Sequence, residues 1–303
     1  MRRPPDAFSS CHPLVNFGFF GCAIGWAMLF LHPLLTPVSL IVALAYAIYL
    51  NGARAVRFSV FGLLPLMIFA AVLNPLFNHA GVTILFYLDF IVEEGNPVTL
   101  ESLVFGLLAA VMLVTVISWF SSYNAVMTSD KFIYLFGRVI PALSLVFSMA
   151  LRFVPRFAAQ ARAIARAQQG IGRSIGQGNI LRRARQGIAV VSILVTWALE
   201  NAIETADSMR SRGYGLKGRT AFSIFRLDGR DRILLIALGA AALTVTIGAL
   251  AGVMAMKIFP AIVLPPLDAL SVAVYAVYAL FLVTPLALDI IMEVKWRAIM
   301  SRA

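Results

Sequence analysis

From Thr99 to Phe120 the chain reads TLESLVFGLLAAVMLVTVISWF, an apolar run whose one charge, Glu101, sits near its start. About 20 apolar residues wound as a helix cross about 30 Å of hydrocarbon, so this run reads as a membrane span. Comparable runs occupy 13–31, 36–50, 58–77, 232–253 and 269–290, the second being short. The composition agrees: only 13% of the 303 residues are charged, against about 25% in soluble domains. The expected fold is an all-α polytopic membrane protein with about six transmembrane helices. The basic start MRRPPDAFSSCHP leads into an apolar run that ends at LFLHPLLTP with no small-residue cleavage pattern, so a retained first span is expected and not a signal peptide.

Charge sets the orientation. Between Phe77 and Thr99 there is no Lys or Arg, while Asp89, Glu93 and Glu94 are present, which places that loop outside. NGARAVR (51–57), the amino-terminal Arg2 and Arg3 and the tail EVKWRAIMSRA then belong to the cytoplasmic side. Of the 25 Lys and Arg residues, 15 fall between Arg152 and Arg232, against five acids, and this segment must also be inside. Four spans before it and two after satisfy each assignment if 132–151, with Arg138 and Pro141 in its middle, lies at the boundary without crossing. The net charge of +11 does not point to nucleic acid, because the aromatics lie in the apolar runs and not among the basic residues. Three regions are expected: a transmembrane part at 1–120, a cytoplasmic or interfacial region at 121–230 and a second transmembrane part at 231–303. The outer loop 78–98 reads as a hairpin, a re-entrant element or an ordered loop.

Within the middle region the pattern becomes amphipathic. Phe153, Phe157, Ala161, Ile164, Ala165 and Gln168 recur at helical spacing, with arginines between them. A helix over about 132–170 is expected to stop at Gly170, Gly172, Gly176 and Gly178. A second helix, about 181–212, has an apolar core from Ile188 to Leu199, about 18 Å long and too short to span, so it is expected to bury against the first helix, the membrane face or a partner. Beyond it Glu200, Glu204 and Asp207 share one face, which reads as a solvated acidic stripe or as one able to meet Arg162 or Arg166, while Leu199, Ala202, Ile203, Ala206 and Met209 continue an apolar stripe. Arg212 and Gly213 close this helix as dipole and left-handed capping favour.

Chemistry of its own is not evident. No G-x-x-x-x-G-K-[ST] occurs, so no P-loop binds ATP. His12, His32 and His79 are scattered, Cys11 and Cys22 suggest no disulfide, and no metal or enzyme constellation emerges. Ionisable residues in the spans, which mark ion pathways, are limited to Glu101, Asp268 and Asp289, all near ends. The pattern Gly21-x-x-x-Gly25 reads as ordinary packing. A membrane protein with a large basic helical insert and neither an ATP nor an ion site looks like a mechanical adaptor.

The residues also carry a resemblance. NPLFNHAGVTILF with the later EEG, MALRFVPRF at Met149–Phe157, and ENAIETADSMRSRGYG followed by Arg219 and Thr220 resemble the T component of energy-coupling factor transporters, the EcfT/CbiQ family, over most of the chain. That family implies an Ala-Arg-Gly-type motif ending each of two coupling helices, docked on a pair of ABC-type ATPase subunits. Ser211, Arg212 and Gly213 fit the second motif. Aligning RAQQGIG on the first brings Gln168, Gly170, Ile171 and Gly172 into register, with Ile171 where arginine is expected. Arg166 and Arg173 could substitute, or the contact is apolar through Ile171.

The resemblance thus implies a non-catalytic coupling subunit in the cell membrane. It would bind no cofactor directly; ATP and Mg would sit on two partner ATPases, and a small substrate-binding membrane protein would carry a vitamin or metal ion. Membrane lipid is a further partner, and nucleic acid is not. The alternative from another class is a self-contained secondary carrier or channel whose basic insert binds anionic lipid. An ordinary ABC permease, with a substrate path in its own dimer, is the third.

Overall fold

The computed structural model describes residues 7–88, 96–137, 141–173, 179–214, 216 and 225–301. They form two compact units, Met1–Ser129 with Phe225–Ala303, and Asp130–Ile224. Helices dominate both, with one small antiparallel sheet.

The first unit contains α1 (Pro13–Leu29), α2 (Leu35–Asn51), α3 (Ala53–Phe58) and α4 (Leu64–Phe77), then β1 (Ile84–Leu88), β2 (Asn96–Thr99) and α5 (Leu100–Val126). A π-helical turn, Ser59–Leu63, joins α3 to α4, with the Leu64 amide donating to the Ser59 carbonyl. Pro65 follows at once. A proline has no amide to give and crowds the preceding turn, and a widened turn absorbs that local conflict.

Candidate spans by length and composition are 53–77, 100–126, 180–211 and two helices described below, 229–250 and 269–300. The first two helices, at 17 residues each, are shorter. Inclusion of 180–211 differs from the expectation for its apolar core. The helix runs 32 residues, and Gln186, Gly187 and Asn201 to Ile203 lengthen the stretch around Ile188–Leu199 before Arg185 and Glu204 bound it, with Glu200 as its one charge.

Aromatic packing makes the core of this unit. Phe19 stacks on Phe281 with centroids 5.0 Å apart and meets Trp119 edge-on at 5.7 Å. The Trp119 indole donates to Ser39 Oγ at 3.1 Å, satisfying a polar group that burial would otherwise leave unpaired. Asp289 lies within the last helix, which continues to Met300, and is 2% exposed. Its carboxylate accepts from the Phe8 amide at 2.7 Å and the Tyr46 hydroxyl at 3.4 Å. These bonds tie three parts of the chain together, which gives a structural use to an acid that the sequence places near a span end. Burial pushes the Cys11 thiol up to about 11, against the lowering pull of Arg230. It remains protonated at neutral pH and donates to the Ala7 carbonyl at 3.4 Å.

Within 78–98 and just beyond it β1 and β2 pair antiparallel, with Tyr87 opposite Pro97 and Ile84 opposite Thr99. Residues 89–95, including Asp89, Glu93 and Glu94, lie outside the described residues. Glu101, in the first turn of α5, fastens the base: the Thr83 hydroxyl donates to Oε1 at 2.9 Å and the Thr83 amide to Oε2 at 3.2 Å. Gly81, at φ +145°, lets the backbone pass close, since a Cβ there would lie 2.5 Å from Glu101 Oε2. Glu101 is thereby a structural clamp in place of an ion-pathway group.

Candidate functional site

The second unit is built from α6 (Ser129–Gly137), α7 (Pro141–Gly170) and α8 (Ile180–Ser211). The single helix expected over 132–170 is described as two pieces. Arg138–Ile140 lie outside the described residues, as do Gly176, Gly178, Arg219 and Thr220. α7 opens on Pro141, a residue suited to a first helical position because its missing amide has no intrahelical use there. α7 and α8, about 45 and 48 Å long, pack antiparallel. Phe157 meets Trp197 edge-on at 5.7 Å, and the Arg156 guanidinium lies 5.6 Å from the Trp197 ring centroid.

Each helix presents one less exposed stripe. On α7 it includes Phe153, Phe157, Ala161, Ile164, Ala165 and Gln168, the positions that helical spacing singles out. On α8 it is Val190, Leu194, Trp197, Asn201, Thr205, Ser208 and Met209. Of the predicted apolar stripe, Leu199 and Ile203 are 63% and 66% exposed and Ala202 and Ala206 are exposed too, so these four face away from α7, whereas Met209 is less exposed. Large and polar residues of α8 instead turn toward α7. Ile188, Val191, Val195, Leu199 and Ile203 form an outward apolar ridge.

A groove of about 890 Å³ opens between the helices, lined in part by Arg152, Arg156, Glu204, Ser208 and Arg212. Pro155 lies in its wall, where it deprives α7 of one backbone hydrogen bond. A pairing of Glu200, Glu204 or Asp207 with Arg162 or Arg166 does not form. The antiparallel register sets Glu204 among Arg152, Arg156 and Arg212, and the Nε groups of Arg162 and Arg166 donate to carbonyls of their own helix, Ala158 and Arg162, at 3.1 and 3.3 Å. Among the described residues no ion pair joins the three acids to these two arginines. Glu200 and Asp207 are exposed.

The ends of the two helices share one backbone geometry. At α7 the Arg173 amide donates to Gln168 O at 2.9 Å and the Gly172 amide to Gln169 O at 3.0 Å. At α8 the Tyr214 amide donates to Met209 O and the Gly213 amide to Arg210 O, both at 3.0 Å. Gly172 and Gly213 each have φ +77°, the left-handed turn that this stop requires and glycine supplies without strain. The correspondence sets Ile171 against Arg212 and Gly170 against Ser211 by geometry. Gly252 closes the helix 229–250 in the same way, so the turn itself is a general helix stop. What distinguishes the pair is placement: antiparallel packing puts the two tips at opposite ends of one hairpin. Ile171 is 66% exposed, and Gly170, Arg173, Ser211 and Arg212 are exposed. At the α8 tip a cation stands where the helix dipole favours one; at the α7 tip the nearest is Arg173, two residues past Ile171. Among the described residues no cluster of His, Cys, Asp and Glu could hold a metal ion.

The sequence is similar to known transport proteins. The profile of the CbiQ family, described as "Cobalt transport protein", matches residues 14–224. The energy-coupling factor transporter transmembrane protein EcfT of Lacticaseibacillus paracasei is 28% identical over 205 residues, 65% of this chain and 77% of that protein. EcfT of Lactococcus lactis is 32% identical over 97 residues, and that of Lactobacillus helveticus 34% over 97. These two matches cover 32% of this chain and span about a third of each relative, 36% and 35%. With the helical membrane fold and most of the chain inside the family match, the protein belongs to the CbiQ family, as a transmembrane T component of an energy-coupling factor transporter.

Proposed function

We propose that the protein is the non-catalytic coupling subunit of such an importer, passing ATP-driven motion of two ABC-type ATPase subunits to a separate substrate-binding membrane subunit that takes up a vitamin or metal ion. The observation that carries this reading is the pair of exposed, identically closed helix tips at Ile171-Gly172 and Arg212-Gly213 on opposite ends of one antiparallel hairpin. Two similar sites on two similar partners could each receive one tip. A helix transmits displacement along its length, so movement of either partner moves the groove and the apolar ridge of α8. That ridge suits a membrane-embedded partner, and the excess of arginine over 152–232 favours a cytoplasmic position for the hairpin and both termini. On this reading the charges at both ends of α8 keep it out of the bilayer despite its length.

Co-purification tests the proposal. A stable complex with two ATPase subunits and a small membrane protein is expected, and a chain that purifies alone yet still transports solute overturns it. At the α7 tip, Ile171→Ala is expected to weaken ATPase association by only about five- to tenfold, as removal of part of an exposed apolar contact implies. Quantitative pull-down from membranes checks this. A larger loss than that caused by Arg212→Ala would make the α7 tip the principal contact.

A further inference from the structure

The first unit closes with α9 (Gly229–Leu250) and α10 (Ala269–Met300), both long and apolar enough to cross a membrane. They pack antiparallel: Gly248 of α9 abuts Val274 of α10, so close that a Cβ would lie 2.8 Å from Val274 Cγ1. At the other end of the pair the helices frame a niche of about 360 Å³, walled by Arg230, Ile233 and Ala237 of α9 and by Leu288, Ile291 and Lys295 of α10.

Its two walls grade in the same direction. On α9 a cation at 230 is followed one and two turns on by apolar residues at 233 and 237. On α10, which runs the opposite way, a cation at 295 is preceded one and two turns back by 291 and 288. The result is a slot about 10 Å deep, basic at the mouth and apolar below. Trp296 is 51% exposed beside Lys295, and exposed tryptophan at a span end marks the level of the lipid headgroups. Of the neighbouring acids, Glu293 is engaged elsewhere and Asp231 faces Arg230 at 3.9 Å. Glu293 accepts from Arg297 and from the Tyr49 hydroxyl. The Asp231 side chain is buried and is not part of the niche wall. Arg230 is 55% exposed and its contacts are long: Ser10 Oγ at 3.5 Å, Cys11 Sγ at 3.7 Å and Asp231 Oδ1 at 3.9 Å. A guanidinium has five N–H donors, enough to serve these and a phosphate.

We propose that this niche binds one anionic glycerophospholipid, its phosphate between Arg230 and Lys295 and part of one acyl chain along the Ile233–Ala237 and Leu288–Ile291 walls. A free phosphate would use only the mouth. A zwitterionic lipid would bring its own cation to two others. The site stands on α9 and α10, with Ala7 and Cys11 completing its wall, and does not depend on how the ATPases couple.

The test uses the full chain in phosphatidylcholine vesicles that contain a small fraction of phosphatidylglycerol with a photoreactive acyl chain, and maps adducts by mass spectrometry. Adducts are expected at the niche residues of α9 and α10 in excess over Leu243, a 64% exposed reference on α9, and excess inorganic phosphate should not remove them. The corresponding phosphatidylcholine probe should label the niche no more than the reference. Each cation near an anionic surface contributes about a fivefold preference. Lys295→Ala, an exposed change that disturbs no packing, should therefore lower niche labelling about fivefold, and adding Arg230→Ala should lower it further. Ala237→Phe, which fills the slot and leaves the charge unchanged, should abolish niche labelling and preserve that at Leu243. Equal labelling by the two probes, or labelling unaffected by Lys295→Ala and Ala237→Phe, overturns the proposal.

Discussion

Arg212→Glu is expected to lower recovery of the ATPase subunits with the membrane protein by about thirtyfold or more, with membrane insertion and yield unchanged. The side chain is exposed at the carboxyl end of α8, and among the described residues no ion pair holds it, so loss of its charge should leave folding intact. A planar guanidinium can bind a carboxylate through two parallel hydrogen bonds. Breaking one partner of such a buried, bonded pair in an interface costs about 2 to 5 kcal/mol, and about 2 kcal/mol is already thirtyfold in affinity. Reversal of charge adds repulsion, and placing a carboxylate at a helix carboxyl end opposes the dipole. Arg212→Lys should lie between the native protein and Arg212→Ala, because an ammonium keeps the charge and loses the fork. Pull-down from solubilised membranes at several salt concentrations is the measurement. Association that Arg212→Glu leaves unaltered would remove the docking role from this tip.

The asymmetry between the tips gives this prediction its weight. The resemblance sets Ile171 where an arginine is expected, and the backbone reaches the same correspondence through two amide bonds and one left-handed glycine at each end. If both tips dock, the partner groove at the α7 end meets an apolar side chain with Arg173 two residues away.

Local chemistry explains what could be read from sequence. Apolar run length located the membrane helices, since each must satisfy its backbone within itself. Where charges interrupt the run, the bounds were missed: α10 was expected to end at 290 and continues to Met300, with Glu293 and Arg297 paired one turn apart on its extension. The helix stops at Gly172 and Gly213 were legible because glycine is the residue that adopts their conformation cheaply. Which face of α8 meets α7 was not. Hydropathy gave Leu199 and Ile203 as an apolar stripe without choosing what covers it, and packing against α7 chose Trp197, Asn201 and Thr205. A helix with apolar residues on two faces leaves that choice to its neighbour. The meeting of Glu204 with Arg152 and Arg156 in one groove depends on antiparallel register, a tertiary property with no local signal. The pairing of β1 with β2 is likewise held by a clamp, Glu101 with Thr83, formed by residues 18 positions apart.

Glycines within spans make the same point and permit a sharp test. Gly21 and Gly25 form the spacing that allows close helix approach, yet an added Cβ at either meets nothing within 4 Å. Gly106, with no glycine four residues away, is where two helices touch: a Cβ there would lie 2.7 Å from Asn74 Cβ and 2.9 Å from the Ala71 carbonyl oxygen. That oxygen belongs to the backbone of α4 and can retreat only if α4 moves. Gly106→Leu is therefore expected to separate α4 from α5, at a cost above the usual 1 to 3 kcal/mol for overpacking. It should lower the thermal midpoint of the purified subunit by several degrees or prevent its recovery. Gly106→Ala should show a smaller loss, since about 1 kcal/mol of helix propensity is regained. Gly21→Leu, at an equally apolar helical position, should leave the midpoint unchanged or raise it. Thermal unfolding of the three variants in one detergent decides the matter. A Gly106→Leu subunit as stable as Gly21→Leu would mean that α4 and α5 do not meet at Gly106.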